Sequence, residues 1–283
     1  DVDIVVADGR IRSIVPHSDK RPEGRYVDAS NLTVMPGLID THSHLIKEFG
    51  ATYGRLNLAY GITTVRSPGN VPGDVLEEKE ALASGQRPGP NMFVTGYILD
   101  GDQTIWEMGT AIDLDDVDRQ IQLASDLGYD VIKSYMHTSE PLREKIVTAA
   151  HRVGIPVTSH DIYPAAFMGL DSSEHFFVAG SSRGYSSKVS NLQLVYDDVV
   201  QILSKSGMTN APTLSLFTPS VEMIDQDPKI AKARWALQPS WVRNGPQYSS
   251  GDIPGGAEML ANVRKSIAKL HAAGVRFVIG TDT

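Results

Sequence analysis

Pro36-Gly37-Leu38-Ile39-Asp40-Thr41-His42-Ser43-His44 places two histidines two residues apart at the end of an apolar, strand-like run. Side chains on a strand alternate with period two, so His42 and His44 share one face. Neutral imidazoles paired at a strand end suit a borderline divalent cation such as Zn2+. His-x-His alone is a weak signal, because such pairs also occur as surface or core histidines. The positions of Lys133, His160, His175 and Asp282 strengthen it, since each stands at or just past the end of its own strand-like segment.

Working outward from His44, short apolar segments alternate with helical ones. Strands are predicted at 62–66, 92–95, 130–133, 155–160, 172–175, 209–214 and 275–282, and helices at 73–84, 113–127, 140–153, 196–206 and 257–273, with a short helical turn over 164–168. Acids in Asp113-Leu114-Asp115-Asp116 favour a helix start, and glycines follow the helix ends. With the strand of His42 this gives about eight strands, the number that closes a (β/α)8 TIM-type barrel over 35–283. Upstream, 2–6 and 10–15 flank the hairpin signal Asp8-Gly9, and 26–28 with 32–34 are expected to extend it. Residues 1–34 are therefore read as part of a small β-sandwich domain. Residues 225–255, with Trp235 and Trp241, read as a long loop. The chain opens without Met and ends just after Asp282, so both termini are expected to be cuts, with truncation after strand 8.

Composition narrows the function. The 283 residues carry a formal charge of −8 and no basic stripe, which argues against a nucleic-acid partner. No apolar run approaches the roughly 18–20 residues that span a bilayer. Cysteine is absent, so a metal site must use histidine, carboxylate or a modified side chain. The compartment is not fixed by these features, and a homo-oligomer is left open.

On a (β/α)8 barrel the site sits at the C-terminal strand ends. His42 and His44 would come from strand 1, Lys133 from strand 4, His160 from strand 5, His175 from strand 6 and Asp282 from strand 8. His17, His137, His151 and His271 fall elsewhere. A protonated lysine repels a cation, whereas its CO2 adduct, a carbamate, is an oxygen donor able to bridge two metals; the competing reading is a salt-bridged lysine. Asp282 could cap a helix, or bind metal and act as general base. Arg66, Tyr135 and Tyr163 lie at or past strand ends and are candidate substrate contacts.

MPGLIDTHSH, VIKSY, TSH, SSEH and GTDT resemble the strand 1, 4, 5, 6 and 8 motifs of the amidohydrolase superfamily. GITTVRSPG and APTL resemble its imidazolonepropionase-like and Xaa-Pro dipeptidase-like subgroup. AYGITTVRSPG, ALASGQRPGP, GIPVTSHDIYPA and RGYSSKVS are similar to the amidohydrolase domain that follows a TolB-like β-propeller in fusion proteins, which implies an N-terminal propeller in the full-length protein. The resemblance implies one metal on His42, His44 and Asp282, a second on His160 and His175, and a carbamate of Lys133 bridging them. Zn2+ is the default cation, and Mn2+, Co2+ or Fe2+ fit the same donors. It further implies hydrolysis of a C–N amide bond, in a small peptide or cyclic amide, by metal-activated hydroxide, with Asp282 as proton acceptor. A lactone or phosphoester hydrolase on the same site, or a non-catalytic scaffold, are the alternatives. Ser159-His160-Asp161-Ile162-Tyr163 and Glu174-His175-Phe176 depart from the family pattern, so substrate does not carry over.

Overall fold

The computed structural model describes residues 1–20, 23–104, 106–176, 188–214 and 256–282, with isolated helical positions at 232, 236 and 240. The expected loop at 225–255, Trp235 and Trp241 included, lies outside the described residues, as do Thr283 and most of RGYSSKVS. The chain divides into two compact units, Asp1–Gly37 and Leu38–Thr283.

The first unit is a hairpin of β1 (Val2–Ala7) and β2 (Arg10–Pro16), paired antiparallel. Asp8 and Gly9 both take positive φ, 52° and 70°, the backbone of a tight two-residue turn whose twist matches the strands. The strands expected at 26–28 and 32–34 do not form. Asp28 instead takes the backbone N–H and hydroxyl of Ser30, and Leu32 N–H reaches Ala29 O, so the segment folds into a local turn rather than a ladder.

The second unit alternates strands and helices. Its order is β3 (Leu38–Asp40), α1 (Ala51–Ala59), β4 (Ile62–Ser67), α2 (Pro72–Ala83), β5 (Asn91–Val94), β6 (Ile98–Asp100), β7 (Gly109–Ala111), α3 (Val117–Asp126), β8 (Ile132–Ser134) and α4 (Glu140–Arg152). It continues with β9 (Val157–Ser159), β10 (Ser172–Glu174), α5 (Asp197–Ser206), β11 (Thr209–Ala211), α6 (Gly256–Ala272) and β12 (Arg276–Phe277). A seven-stranded sheet runs β12-β11-β10-β9-β8-β6-β7, and a three-stranded sheet runs β3-β4-β5. Every pairing in both is parallel. Backbone hydrogen bonds link the sheets on both sides: Asp130 N–H to Val94 O (2.9 Å), and Thr41 N–H to Ile279 O (2.7 Å).

Helix α1 and the β6–β7 pair were not expected. Helix α1 carries Gly54 in its middle, which costs helix stability relative to alanine. A Cβ there would lie 2.3 Å from Pro88 O, so the glycine lets the helix settle on the 88–89 backbone. At α3 the expected acidic start is realised one turn earlier, where Asp113 Oδ1 accepts the N–H groups of Asp115 and Asp116.

Strand alternation sorts the side chains. Ile132 and Val157 join a core with Leu142, Ile146, Leu203 and Leu270, from three helices. Their neighbours Lys133 and Thr158, paired across β8 and β9, are buried but outside that cluster. Val65 packs likewise with Val75 and Val94, while the next residue, Arg66, reaches polar partners. One side of each strand thus makes the apolar core, and the other carries the polar chemistry. No described helix is long and apolar enough to cross a membrane.

Candidate metal centre

His42 follows β3 and is fully buried. Its Nδ1 lies 2.6 Å from Glu174 Oε2. Its Nε2 lies 3.1 Å from Asp282 Oδ1, yet outside hydrogen-bond geometry, so this buried nitrogen has no hydrogen-bond partner. His44 shares the face, with Nδ1 2.8 Å from Gly69 O and Nε2 3.4 Å from the same Asp282 oxygen. His42, His44 and Asp282 each offer one ligand atom, all within 4.8 Å of one another.

Asp282 is positioned by strand 1 itself. Its N–H donates to His42 O at 2.6 Å. The buried Asp40 accepts His42 N–H (3.1 Å) through Oδ1, and Thr281 N–H (3.1 Å) and Thr281 hydroxyl (2.6 Å) through its two oxygens. Gly280 completes the junction, since a Cβ there would lie 2.7 Å from His42 Cβ. Asp282, His175 and Thr213 hold positive φ of 57°, 51° and 44° without being glycine, a strained backbone that recurs at functional sites.

His175 borders the trio. Its ring centroid is 4.4 Å from that of His42, its Nδ1 is 2.8 Å from Thr213 Oγ1, and the same nitrogen is 3.6 Å from Asp282 Oδ2. His160 lies one ring further out, edge-to-face on His175 at 4.6 Å and on Tyr135 at 4.8 Å. The structure thus brings five of the six expected ligands into one chain of contacts, of which three form the tight group. Burial, then the Lys133 charge, holds the His160 and His175 imidazoles well below their ordinary pKa. Burial also lowers Lys133 to about 8, against the opposing pull of Glu174. Asp282 stays below the usual carboxylate range: burial would raise it, but the closeness of the His42 and His44 imidazoles outweighs that.

Of the three expected substrate contacts, Arg66 spends Nε on Thr41 O and Nη2 on Glu174 Oε1, both at 2.5 Å. Tyr135 is buried, and its hydroxyl takes the Trp106 indole N–H at 2.7 Å. Tyr163 is exposed, with its ring against Phe167.

Glu174 and Asp40 received no role from the sequence, although both sit two residues from or beside candidate ligands. Glu174 is fully buried and accepts from His42, Arg66 and Thr158. Burial would raise its pKa, yet the Arg66 charge and the hydrogen bond from His42 keep it ionised. An ionised carboxylate only accepts, so in the neutral imidazole of His42 the proton sits on Nδ1 and the lone pair of Nε2 faces Asp282. Two acceptors facing each other at 3.1 Å are the donor set of a cation, so these residues fit a divalent metal.

No family model matches this sequence, and no curated protein matches it. Solved structures do. An amidohydrolase superposes with TM-score 0.67 at 23% identity, over 99% of this chain and 73% of that one. A Xaa-Pro dipeptidase with methionine bound in its active site gives TM-score 0.69 at 19% identity, over 100% and 74%. A bottromycin amidohydrolase gives 0.65 at 23% identity, over 99% and 64%. This chain therefore shares the fold of an amidohydrolase and of a Xaa-Pro dipeptidase.

Proposed function

We propose that this chain is a metal-dependent amidohydrolase that cleaves a C–N amide bond in a small peptide or cyclic amide. The observation that carries the reading is the buried, unpartnered Nε2 of His42, facing Asp282 with His44 beside it. Two features support extending it to the whole set. The two sheets are joined by backbone hydrogen bonds, Thr41 N–H to Ile279 O and Asp130 N–H to Val94 O, as a (β/α)8 barrel over 35–283 would need, and the hairpin would belong to a small β domain over 1–34. The fold is also that of an amidohydrolase, a Xaa-Pro dipeptidase and a bottromycin amidohydrolase.

In this reading His42, His44 and Asp282 would hold one cation, His160 and His175 would hold a second, and Lys133, as a carbamate, would supply oxygen donors to both. Zn2+ suits these donors, and Mn2+, Co2+ or Fe2+ fit them as well. Such metals supply Lewis acidity and lower the pKa of water toward neutrality. The protein's own groups do the rest. The lowered pKa of Lys133 raises its share of neutral amine, whose nitrogen adds to CO2 and releases one proton. Asp282 accepts a proton and passes it to the leaving nitrogen. Tyr135, beside His160, and Tyr163 would serve as substrate contacts; Arg66 already spends two of its N–H donors on Thr41 and Glu174.

Metal analysis of reconstituted protein, coupled to a panel of dipeptides and cyclic amides, tests this. Near two equivalents of metal with hydrolysis of at least one class is expected. Lys133→Ala should lose most activity and regain part of it with short carboxylic acids. Protein that binds no divalent metal overturns the reading.

A further inference from the structure

We propose that Glu174 is a positioning residue that sets the tautomer of His42 for cation binding, with Arg66 and Thr158 in turn holding Glu174; this rests on the metal-hydrolase reading above. Four strands meet at this carboxylate. Oε2 faces His42 Nδ1 at 2.6 Å, from the end of β3. Oε1 takes Arg66 Nη2 of β4 at 2.5 Å and the Thr158 hydroxyl of β9.

A carboxylate buried this completely costs several kcal/mol to desolvate, and an apolar side chain would hold the strands together as well. The carboxylate does something an apolar group cannot. With Oε1 occupied by two donors, Oε2 is left as an acceptor that demands a proton on His42 Nδ1. The lone pair then falls on Nε2, the atom left without a hydrogen-bond partner beside Asp282.

Backbone geometry explains how adjacent residues can serve one histidine. Alternation would send Glu174 and His175 to opposite sides of β10. His175 lies in the left-handed region at φ 51°, off the strand path, so its ring reaches His42 while Glu174 holds the other edge of the same imidazole.

Glu174→Gln provides a sharp test. The amide oxygen would turn to Arg66 and Thr158, which both donate, and the amide NH2 would face Nδ1. His42 would then carry its proton on Nε2, where the cation must bind. Zn2+ affinity measured by competition with a chromophoric chelator should fall about 10–100-fold, the usual effect of losing such a partner. Nitrogen-15 spectra of the folded, metal-free variant should show the His42 proton moving from Nδ1 to Nε2. If Glu174→Gln does not fold, Thr158→Val decides, because it removes one hydroxyl at nearly constant volume; weaker Zn2+ binding with unchanged melting supports the proposal. Unchanged affinity and an unmoved tautomer in the folded variant overturn it. Wild-type protein that binds no Zn2+ would instead overturn the metal-hydrolase reading on which it stands.

Discussion

Asp40→Ala should damage the site more than its distance from any reacting atom suggests. Asp40 is buried and clamps two segments that are remote in sequence: His42 through its N–H at 3.1 Å, and Thr281 through its N–H at 3.1 Å and hydroxyl at 2.6 Å. Thr281 N–H also reaches His42 O, so it keeps one acceptor, whereas the buried His42 N–H loses the acceptor that Asp40 gave it. An orphaned buried donor costs about 1–3 kcal/mol, and a hydrogen bond to a charged group contributes about 1.5–3. Taking the low end of each, since Thr281 is partly exposed to water, gives about 2.5 kcal/mol. For a unit of this size that is roughly 5–10 °C in melting temperature, at about 2–4 °C per kcal/mol. The metal trio should suffer beyond this, because Asp282 follows Thr281 directly. Thermal melts and Zn2+ titration of the folded variant at low temperature would measure both effects. A melting temperature within about 2 °C of wild type, with unaltered Zn2+ binding, would refute the clamp.

Asp282→Asn should stay folded, because its backbone N–H still bonds His42 O, while kcat falls about 10²–10⁴-fold from lost proton transfer; near-normal turnover on any hydrolysed substrate would remove Asp282 from that role. Gly280→Ala places a methyl 2.7 Å from His42 Cβ, too close for either backbone to ignore, so Zn2+ affinity should drop together with about 1–3 kcal/mol of stability; a wild-type urea midpoint would contradict it. In the hairpin unit, the side chain of Asp3 raises the pKa of His17 above 6.5 by accepting its hydrogen bond. A raised folded pKa stabilises below the unfolded value and is lost as pH rises through the folded one, so this pairing supports the hairpin in acid and fades above neutrality. An NMR titration of His17 that ends at or below 6.5, or is unmoved by Asp3→Asn, would refute it.

Most of the strand and helix order was legible because the parallel strands are buried on both sides, so each reads as a short apolar run followed by a helix with one apolar face. Val131-Ile132 and Val157 are such runs. The misses have local causes. Helix α1 has a glycine at its centre whose purpose, clearance of the 88–89 backbone, depends on a contact distant in sequence. Strands β6 and β7 are three residues each, too short to show alternation. Val27 and Leu32–Val34 look like strand residues, but β-propensity expresses a fit to a neighbouring strand, and none pairs with them among the described residues.

At the site, the signal in the sequence was position, and position picked out the residues that meet there but not what aims them. His42 and His44 obey alternation, so their common face followed from spacing alone. Glu174, beside His175, was hidden by the same rule, because alternation assigns adjacent residues to opposite faces and only the positive φ of His175 breaks it. Asp40 shares parity with His42, which on a longer strand would have marked it as another inward group; its partner Thr281, at the far end of the unit, could not be known from spacing. Arg66 shows the converse limit. Its strand-end position suggested substrate, yet the nearest unmet charge is Glu174, and a guanidinium will take a buried carboxylate at 2.5 Å before one that must diffuse in. Charge pairing among strand ends therefore settles which of them remain free for chemistry, and that pairing is written in how the strands meet rather than in any one of them.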